Sequence, residues 1–410
     1  MTANNPPHGS SYLYLMFALL FVGDVFGGVA STLMSSYLPD VLKDVVSSTT
    51  EADSDRIGAI INAAYLFGMM FGGILMGFFS DRSGRKIAVI LSVACLGLFT
   101  LLTSFAPNWQ TVVALRFMTG FGTGSVLLSS AIMVAEAWPA RNRGVALGIL
   151  SITIPVGIFS AGLITYNIST WRSAFLIGII PLAIAALGFV IFEESEKWKQ
   201  DKSNSKAATG PKMSIFHPSV SRDLLLGSVI YGSMLIGLWA VFLWLPSWVQ
   251  TLVHDSDGQK ERGISMMLFA TGGLTGGFVS GWVSRIFGVK KSMLTCFAAT
   301  FTLTFLLFKM NDSLSIVAYA EMALIALFFG MSQGVLNGYI PALFPTAVRS
   351  AATGFCFNVG RVFTASVVFF VGWLESAMGG FGNALFAFSF VFLIGLVAAF
   401  FAKEKNMIEA

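Results

Sequence analysis

Three ionisable side chains, Asp24, Arg116 and Arg361, stand inside runs of otherwise apolar residues. A charge at the centre of a lipid bilayer costs about 2.5–3.5 kcal/mol on insertion scales, so such residues face a protein interior or a watery path. A guanidinium offers a planar fork of N–H donors that matches a carboxylate. A carboxyl can bind and release a proton, and burial and a nearby guanidinium pull that equilibrium in opposite directions. These residue types suit an anion site at Arg361, a protonation site at Asp24, and a counter-charge at Arg116 that tunes it. The plainer alternatives are braces: Arg116 tied to backbone carbonyls, and Asp24 with Arg361 as a fixed pair.

Two further groups carry chemistry. Trp239, Phe242, Trp244 and Trp248 flank Pro246, a proline expected to kink its helix. Beside the polar Gln333, Asn337, Tyr339 and Asn358, such rings can hold a hydroxylated ligand, although aromatic clusters in membrane helices often only pack. The second group is the stretch Gly77-x-x-x-Asp81-Arg82-x-Gly84-Arg85-Lys86 between two long apolar runs. Its glycines let helix ends approach, Asp81 can cap or pair, and its cations mark a cytoplasmic turn. Glu136, Arg141 and Arg143 lie at the same predicted membrane edge.

The elements that position these residues follow from composition. The 410 residues are 55% hydrophobic and 11% charged, with net charge +4; the mean hydropathy is +0.78. That excludes a soluble globular domain. A span takes about 20 apolar residues, and the chain supplies roughly twelve. They are expected near 12–36, 57–79, 87–105, 110–135, 144–166, 174–192, 224–252, 264–286, 293–308, 314–339, 351–374 and 384–402. An acidic loop (Asp40, Asp44, Glu51, Asp53, Asp55) separates the first two. Lys-rich residues 193–222 lack an apolar period and imply a linker. The expected division is a six-helix bundle over 1–195, a cytoplasmic linker over 196–222, and a second bundle over 223–410. The Lys/Arg bias places both termini in the cytoplasm. The first apolar run lacks a small-residue cleavage site and is expected to be retained as a span.

Cys95, Cys296 and Cys356 are far apart within expected helices, so no disulfide framework is expected. His8, His217 and His254 show no metal-ligand spacing. No nucleophile motif or phosphate-cradling loop points to an enzyme or a cofactor.

The halves repeat one plan. Pro139-x-x-x-Arg143-Gly144-x-Ala146-x-Gly148 recurs as Pro345-x-x-x-Arg349-Ser350-x-Ala352-x-Gly354. Likewise Gly77, Gly84 and Lys86 recur as Gly281, Gly288 and Lys290, 204 residues later. Arg285 replaces Asp81 and Ala342 replaces Glu136 in that repeat. Parallel six-span repeats are a transporter plan, with the cargo held between the halves near the midplane.

The 77–86 stretch resembles the signature loop of the major facilitator superfamily, and Arg116–Gly124 looks like its fourth-span motif. Segments 135–143, 171–181, 193–198, 344–349 and 354–361 are similar to bacterial metabolite:proton symporters, most of all the sialic acid branch, with aromatic acid symporters as cousins. The single Asp24 in the first span departs from the aromatic acid pattern, which usually has a second acid there. The resemblance implies an all-α membrane protein of twelve helices in two pseudo-symmetric bundles, in a bacterial inner membrane. It implies proton-coupled import of an organic anion by alternating access, with a carboxylated sugar such as sialic acid as first choice. Another organic acid or a neutral sugar is the alternative; a receptor or scaffold is the alternative of another class. Arg361, Asn358, Asn337, Gln333, Tyr339 and Trp239 are expected at the substrate, and Asp24 with Arg116 in proton coupling. Asp81, Arg85, Glu136 and Arg143 are expected to gate, with Arg285, Lys290 and Lys291 opposite. Expected partners are a small anion, protons and lipid, with no nucleic acid and a monomeric state.

Overall fold

The computed structural model describes residues 10–46, 51–139, 142–204, 216–253, 257–345 and 348–402, and among them every regular element is a helix. Chains immersed in lipid must pair their backbone groups internally, and these apolar runs do so as helices. The first half holds α1 (Ser10–Val45), α2 (Glu51–Ser83), α3 (Arg85–Thr103), α4 (Trp109–Ala137), α5 (Arg143–Ser151) and α6 (Thr153–Asn167). It continues with α7 (Trp171–Phe175), α8 (Ile179–Ile191) and the short α9 (Glu196–Asn204). The second half holds α10 (Pro218–Thr251), α11 (Gln259–Phe287), α12 (Val289–Met310) and α13 (Ile316–Ala342), then α14 (Arg349–Phe369), α15 (Val371–Met378) and α16 (Phe381–Phe400).

Among the described residues, eleven stretches are long and apolar enough to cross a membrane. The expected span over 351–374 is helical, as α14 and α15. One expectation needs correction. The acidic loop is largely helical, because α1 runs through Pro39 to Val45 and α2 starts at Glu51. Part of the 193–222 linker is α9, whose first turn is capped by the Ser195 hydroxyl accepting from the Trp198 amide. Hydropathy marks where a chain meets lipid; helices continue past that point into water.

Two compact units divide the chain: residues 1–34, 64–161 and 170–209 in one, and 35–63, 162–169 and 210–410 in the other. In the first, α3 packs on α4 and α8 around Met16, Leu20, Val89, Leu96, Val126 and Ile184. In the second, α11 packs on α13, and α10 on α14 and α16. The far ends of α1 and α2 belong to this second unit.

The internal repeat is visible in packing. A methyl group on Gly72 of α2 would collide with the Phe121 carbonyl of α4. A methyl on Gly276 of α11 would collide with the Leu327 carbonyl of α13 in the same way. Glycine lets both helix pairs approach to backbone contact, the usual solution where lipid offers no hydrophobic drive.

Candidate functional site

Asp24 and Arg116 both lie in the first unit, 0% and 1% exposed. Asp24 is fourteen residues into α1, roughly 21 Å along its axis. Its Oδ1 accepts from the Ser130 hydroxyl of α4 at 2.8 Å, and its Oδ2 has no partner. Arg116 donates Nη1 to the Ala30 carbonyl at 3.0 Å, and its guanidinium lies over the Tyr65 ring, 4.2 Å from the centroid. Its Nε and Nη2 have no partner. Among the described residues Asp24 and Arg116 form no ion pair with each other; Ala30, Arg116's partner, is six residues beyond Asp24, about 9 Å along α1. An unpaired buried charge is costly, so each of these two groups is left with an unmet demand for a partner. The Nε–Nη2 edge left free on Arg116 is the side-on fork that takes a carboxylate with two parallel bonds.

At the end of the first unit that carries Gly84, the expected gating residues form a network, apart from Arg143. Arg85 Nη1 bridges to Asp81 Oδ1 at 2.6 Å, and Nη2 to Glu136 Oε1 at 3.1 Å. Nε also donates to both Glu136 oxygens, and Nη1 to the Ser80 hydroxyl. One guanidinium thus joins α2 to α4 at the root of α3. Arg143 lies apart from this network: its Nε and Nη2 donate to the Trp138 carbonyl and close its own turn. Arg349 repeats that bond, donating to the Phe344 carbonyl. Arg141 lies outside the described residues.

The second unit holds the expected substrate residues. Trp239 is half-buried in α10 and meets Phe242 edge to face at 5.4 Å. Phe242, Phe269, Phe329 and Phe392 continue this as a run of neighbouring rings. On α13, Gln333 is half-buried with an unpartnered Nε2, Asn337 is exposed and Tyr339 is buried. Asn358 and Arg361 are positions of α14 whose side chains lie outside the described residues. Among the described residues no three His, Cys, Asp or Glu side chains cluster as metal ligands.

A family model described as Major Facilitator Superfamily matches residues 16–367, most of the chain. The chain belongs to this superfamily. Its curated relatives include the cis,cis-muconate transport protein of Acinetobacter baylyi, 27% identical over 409 residues and covering 97% of this chain and 96% of that one. The 4-hydroxybenzoate transporter PcaK of Pseudomonas aeruginosa is 24% identical over 387 residues, covering 86% and 84%. Among solved structures, that of a D-xylose-proton symporter superposes with a TM-score of 0.78 at 18% identity, covering 97% and 98%. The superfamily fold, an all-α integral membrane transporter, is therefore that of this chain.

Within this superfamily member, sequence reasoning missed two constellations. The first is Glu194. Its Oε1 accepts from the backbone amides of Arg85 (2.7 Å), Lys86 (3.2 Å) and Ser195 (3.0 Å). It thereby caps α3 from 109 residues away and sets a carboxylate at the positive end of that helix. Trp198 Nε1 donates to the Asp81 carbonyl at 2.9 Å, docking α9 on the same turn. The 193–198 segment carried a family likeness, and its acids gave a signal, but no spacing named their partner. The second is Arg262, 0% exposed in α11, which bridges to Asp40 Oδ2 at 2.6 Å and donates to Gln250 at 2.9 Å. Gln259 donates to the Thr165 and Ile168 carbonyls beside it. Within the second unit this cluster ties α1, α6, α10 and α11 together.

Proposed function

We propose that this transporter imports a small organic acid together with protons by alternating access. The observation that carries the reading is the buried Asp24, one oxygen unpartnered, in the same unit as Arg116 with its carboxylate-fitting edge free. A proton on Asp24 and an anion near a guanidinium together leave the membrane interior close to neutral, which lowers the cost of crossing. Its likeness to a muconate and a 4-hydroxybenzoate transporter favours an organic acid over a carboxylated sugar such as sialic acid. The sugar acid stays as the competing cargo, and a neutral sugar as the next.

In this reading Arg361, with Asn358, Gln333, Asn337, Tyr339 and Trp239, holds the cargo. Arg116 is either the counter-charge of Asp24 or a carboxylate receptor, and its free edge favours the second. The Asp81–Arg85–Glu136 network is a gate on the cytoplasmic side, where the Lys/Arg bias places the Gly84 end and both termini. The bundles 1–195 and 223–410 are the moving bodies.

Reconstituted vesicles test it. Wild-type protein should accumulate aromatic or hydroxy acids under an inward pH gradient and alkalinise the outside as it does so. Asp24→Asn should still bind acids in a thermal-shift assay but lose gradient-driven accumulation. Arg361→Ala should lose the thermal response to acids while keeping its own melting temperature. Proton movement that persists with Asp24→Asn removes the assignment of Asp24. A chain that binds acids but never moves them is a receptor.

A further inference from the structure

The surface of the second unit carries a groove whose chemistry changes in order along its length. It lies between α12 and α16 and holds about 550 Å3, inside the roughly 300–1,000 Å3 range of ligand pockets. Leu294, Thr295 and Ala298 of α12 form one wall, and Leu396, Val397 and Phe400 of α16 the other. Thr295, Ala298, Val397 and Phe400 are exposed, so the groove is open along its outer side. The small Ala298 side chain leaves depth that a larger residue would fill.

Two lysines stand at one end. Lys290, in the first turn of α12, holds its Nζ over the Phe400 ring, 5.4 Å from the centroid, which brings the ammonium to the edge of the groove. Lys291 is exposed and precedes Leu294, Thr295 and Ala298 by three, four and seven residues, the spacing of one helix face. Among the described residues neither lysine forms an ion pair. From Lys291, Thr295 lies roughly 6 Å along the axis and Ala298 roughly 10 Å. Cations, then a hydroxyl, then an apolar trough follow the order of phosphate, ester oxygen and hydrocarbon in a phospholipid. The lysines flank the Gly288 turn, which the Lys/Arg bias places at the cytoplasmic membrane surface, where anionic lipid collects.

The first half provides a comparison. At the same 204-residue offset Lys86 matches Lys290 and lies over Phe189, 5.5 Å from the centroid. Ile87 and Leu91, however, stand where the second half has Lys291 and Thr295. The Glu194 carboxylate also accepts from the Lys86 amide there. A lysine over a ring is thus common to both copies; the second cation and the hydroxyl belong to α12 alone. We propose that the α12–α16 groove binds an anionic phospholipid, with its phosphate on Lys290 and Lys291 and one acyl chain between the helices. This site does not depend on which cargo the transporter carries.

The test titrates full-length protein in neutral detergent with dioleoyl phosphatidylglycerol and dioleoyl phosphatidylcholine, reading bound lipid by native mass spectrometry. Wild-type protein should bind the anionic lipid about tenfold more tightly, each lysine contributing several-fold. Lys290→Gln combined with Lys291→Gln should bring the two lipids to equal affinity and leave phosphatidylcholine binding as it was. Lys290→Arg combined with Lys291→Arg should keep the preference. Ala298→Phe should weaken both lipids by filling the trough, and Lys86→Gln should alter neither. A wild type indifferent to headgroup charge, or a preference that survives the glutamine pair, overturns the site. Unchanged binding by Ala298→Phe, or displacement of the lipid by an equal concentration of inorganic phosphate, overturns it too, because the lysines would then hold a free anion and no chain.

Discussion

The turns before α3 and before α12 have nearly the same backbone and very different surroundings. Gly84 has φ 116° and ψ 159°; Gly288 has φ 81° and ψ 153°. Both conformations belong to a region open essentially to glycine alone. Around Gly84, Glu194 caps the helix, Arg85 joins Asp81 and Glu136, and α9 docks through Trp198. Around Gly288 a side-chain atom would meet open space. There the repeat puts Arg285, Val289 and Ala342 where the first turn has Asp81, Arg85 and Glu136. The backbone was duplicated; the ion network was not. Among the described residues the first turn is therefore held by charges, and the second by its backbone with the Ser292 hydroxyl on the Gly288 carbonyl and Lys290 over the Phe400 ring. That asymmetry suits a gate whose charged half lies in the first bundle.

Alanine at the two glycines separates geometry from chemistry. Gly288→Ala should cost about 1–3 kcal/mol for the glycine-only backbone. Gly84→Ala carries that cost and also drives a methyl into the Glu194 carboxylate, displacing the cap. In a thermal melt of purified protein Gly84→Ala should therefore fall furthest of all the variants considered. Equal losses at both positions would mean that the cap adds nothing.

Removing the cap directly should have the next largest effect. Glu194→Ala strips the acceptor from two amides at the start of α3, a loss of about 0.5–2 kcal/mol by analogy with N-cap deletions. Glu194→Gln keeps an oxygen at that place and should recover part of it, less the charge at the helix N-terminus. Among the described residues the second turn shows no capping acid to delete. If Gln behaved like Ala, the carboxylate charge and not the hydrogen bond would be holding the turn.

What the sequence revealed, and what it hid, follows from range. Apolar runs and the spacing of Gly, Pro and Arg are local signals, so the spans, the repeat and the family could be read directly. The Arg143–Trp138 turn is local too, yet its bond stays hidden, because a sequence displays charges and not the carbonyls they bind. Arg116 hid its Ala30 and Tyr65 partners for the same reason. Glu194 acts 109 residues from Arg85, and Arg262 acts 222 residues from Asp40. Only packed helices bring such pairs together. The extension of α1 and α2 into the acidic stretch was hidden otherwise: hydropathy falls at the membrane edge while the helix goes on.

The smallest expected change in stability belongs to Asp81→Asn, and its smallness makes it useful. The Asp81 side chain is 67% exposed, so its 2.6 Å bridge to Arg85 is screened by water, and such pairs contribute about 0–1 kcal/mol. Arg85 keeps Glu136, and the Trp198 bond goes to the Asp81 backbone carbonyl, which asparagine preserves. The melting temperature should therefore hardly move. Transport is a different measurement, because a gate depends on the difference between two states and not on the stability of one. A large fall in uptake rate with an unchanged melt would place Asp81 in the gate. Unchanged uptake, confirmed with the charge-reversing Asp81→Lys, would make it a solvated surface acid and leave Arg85–Glu136 as the working pair.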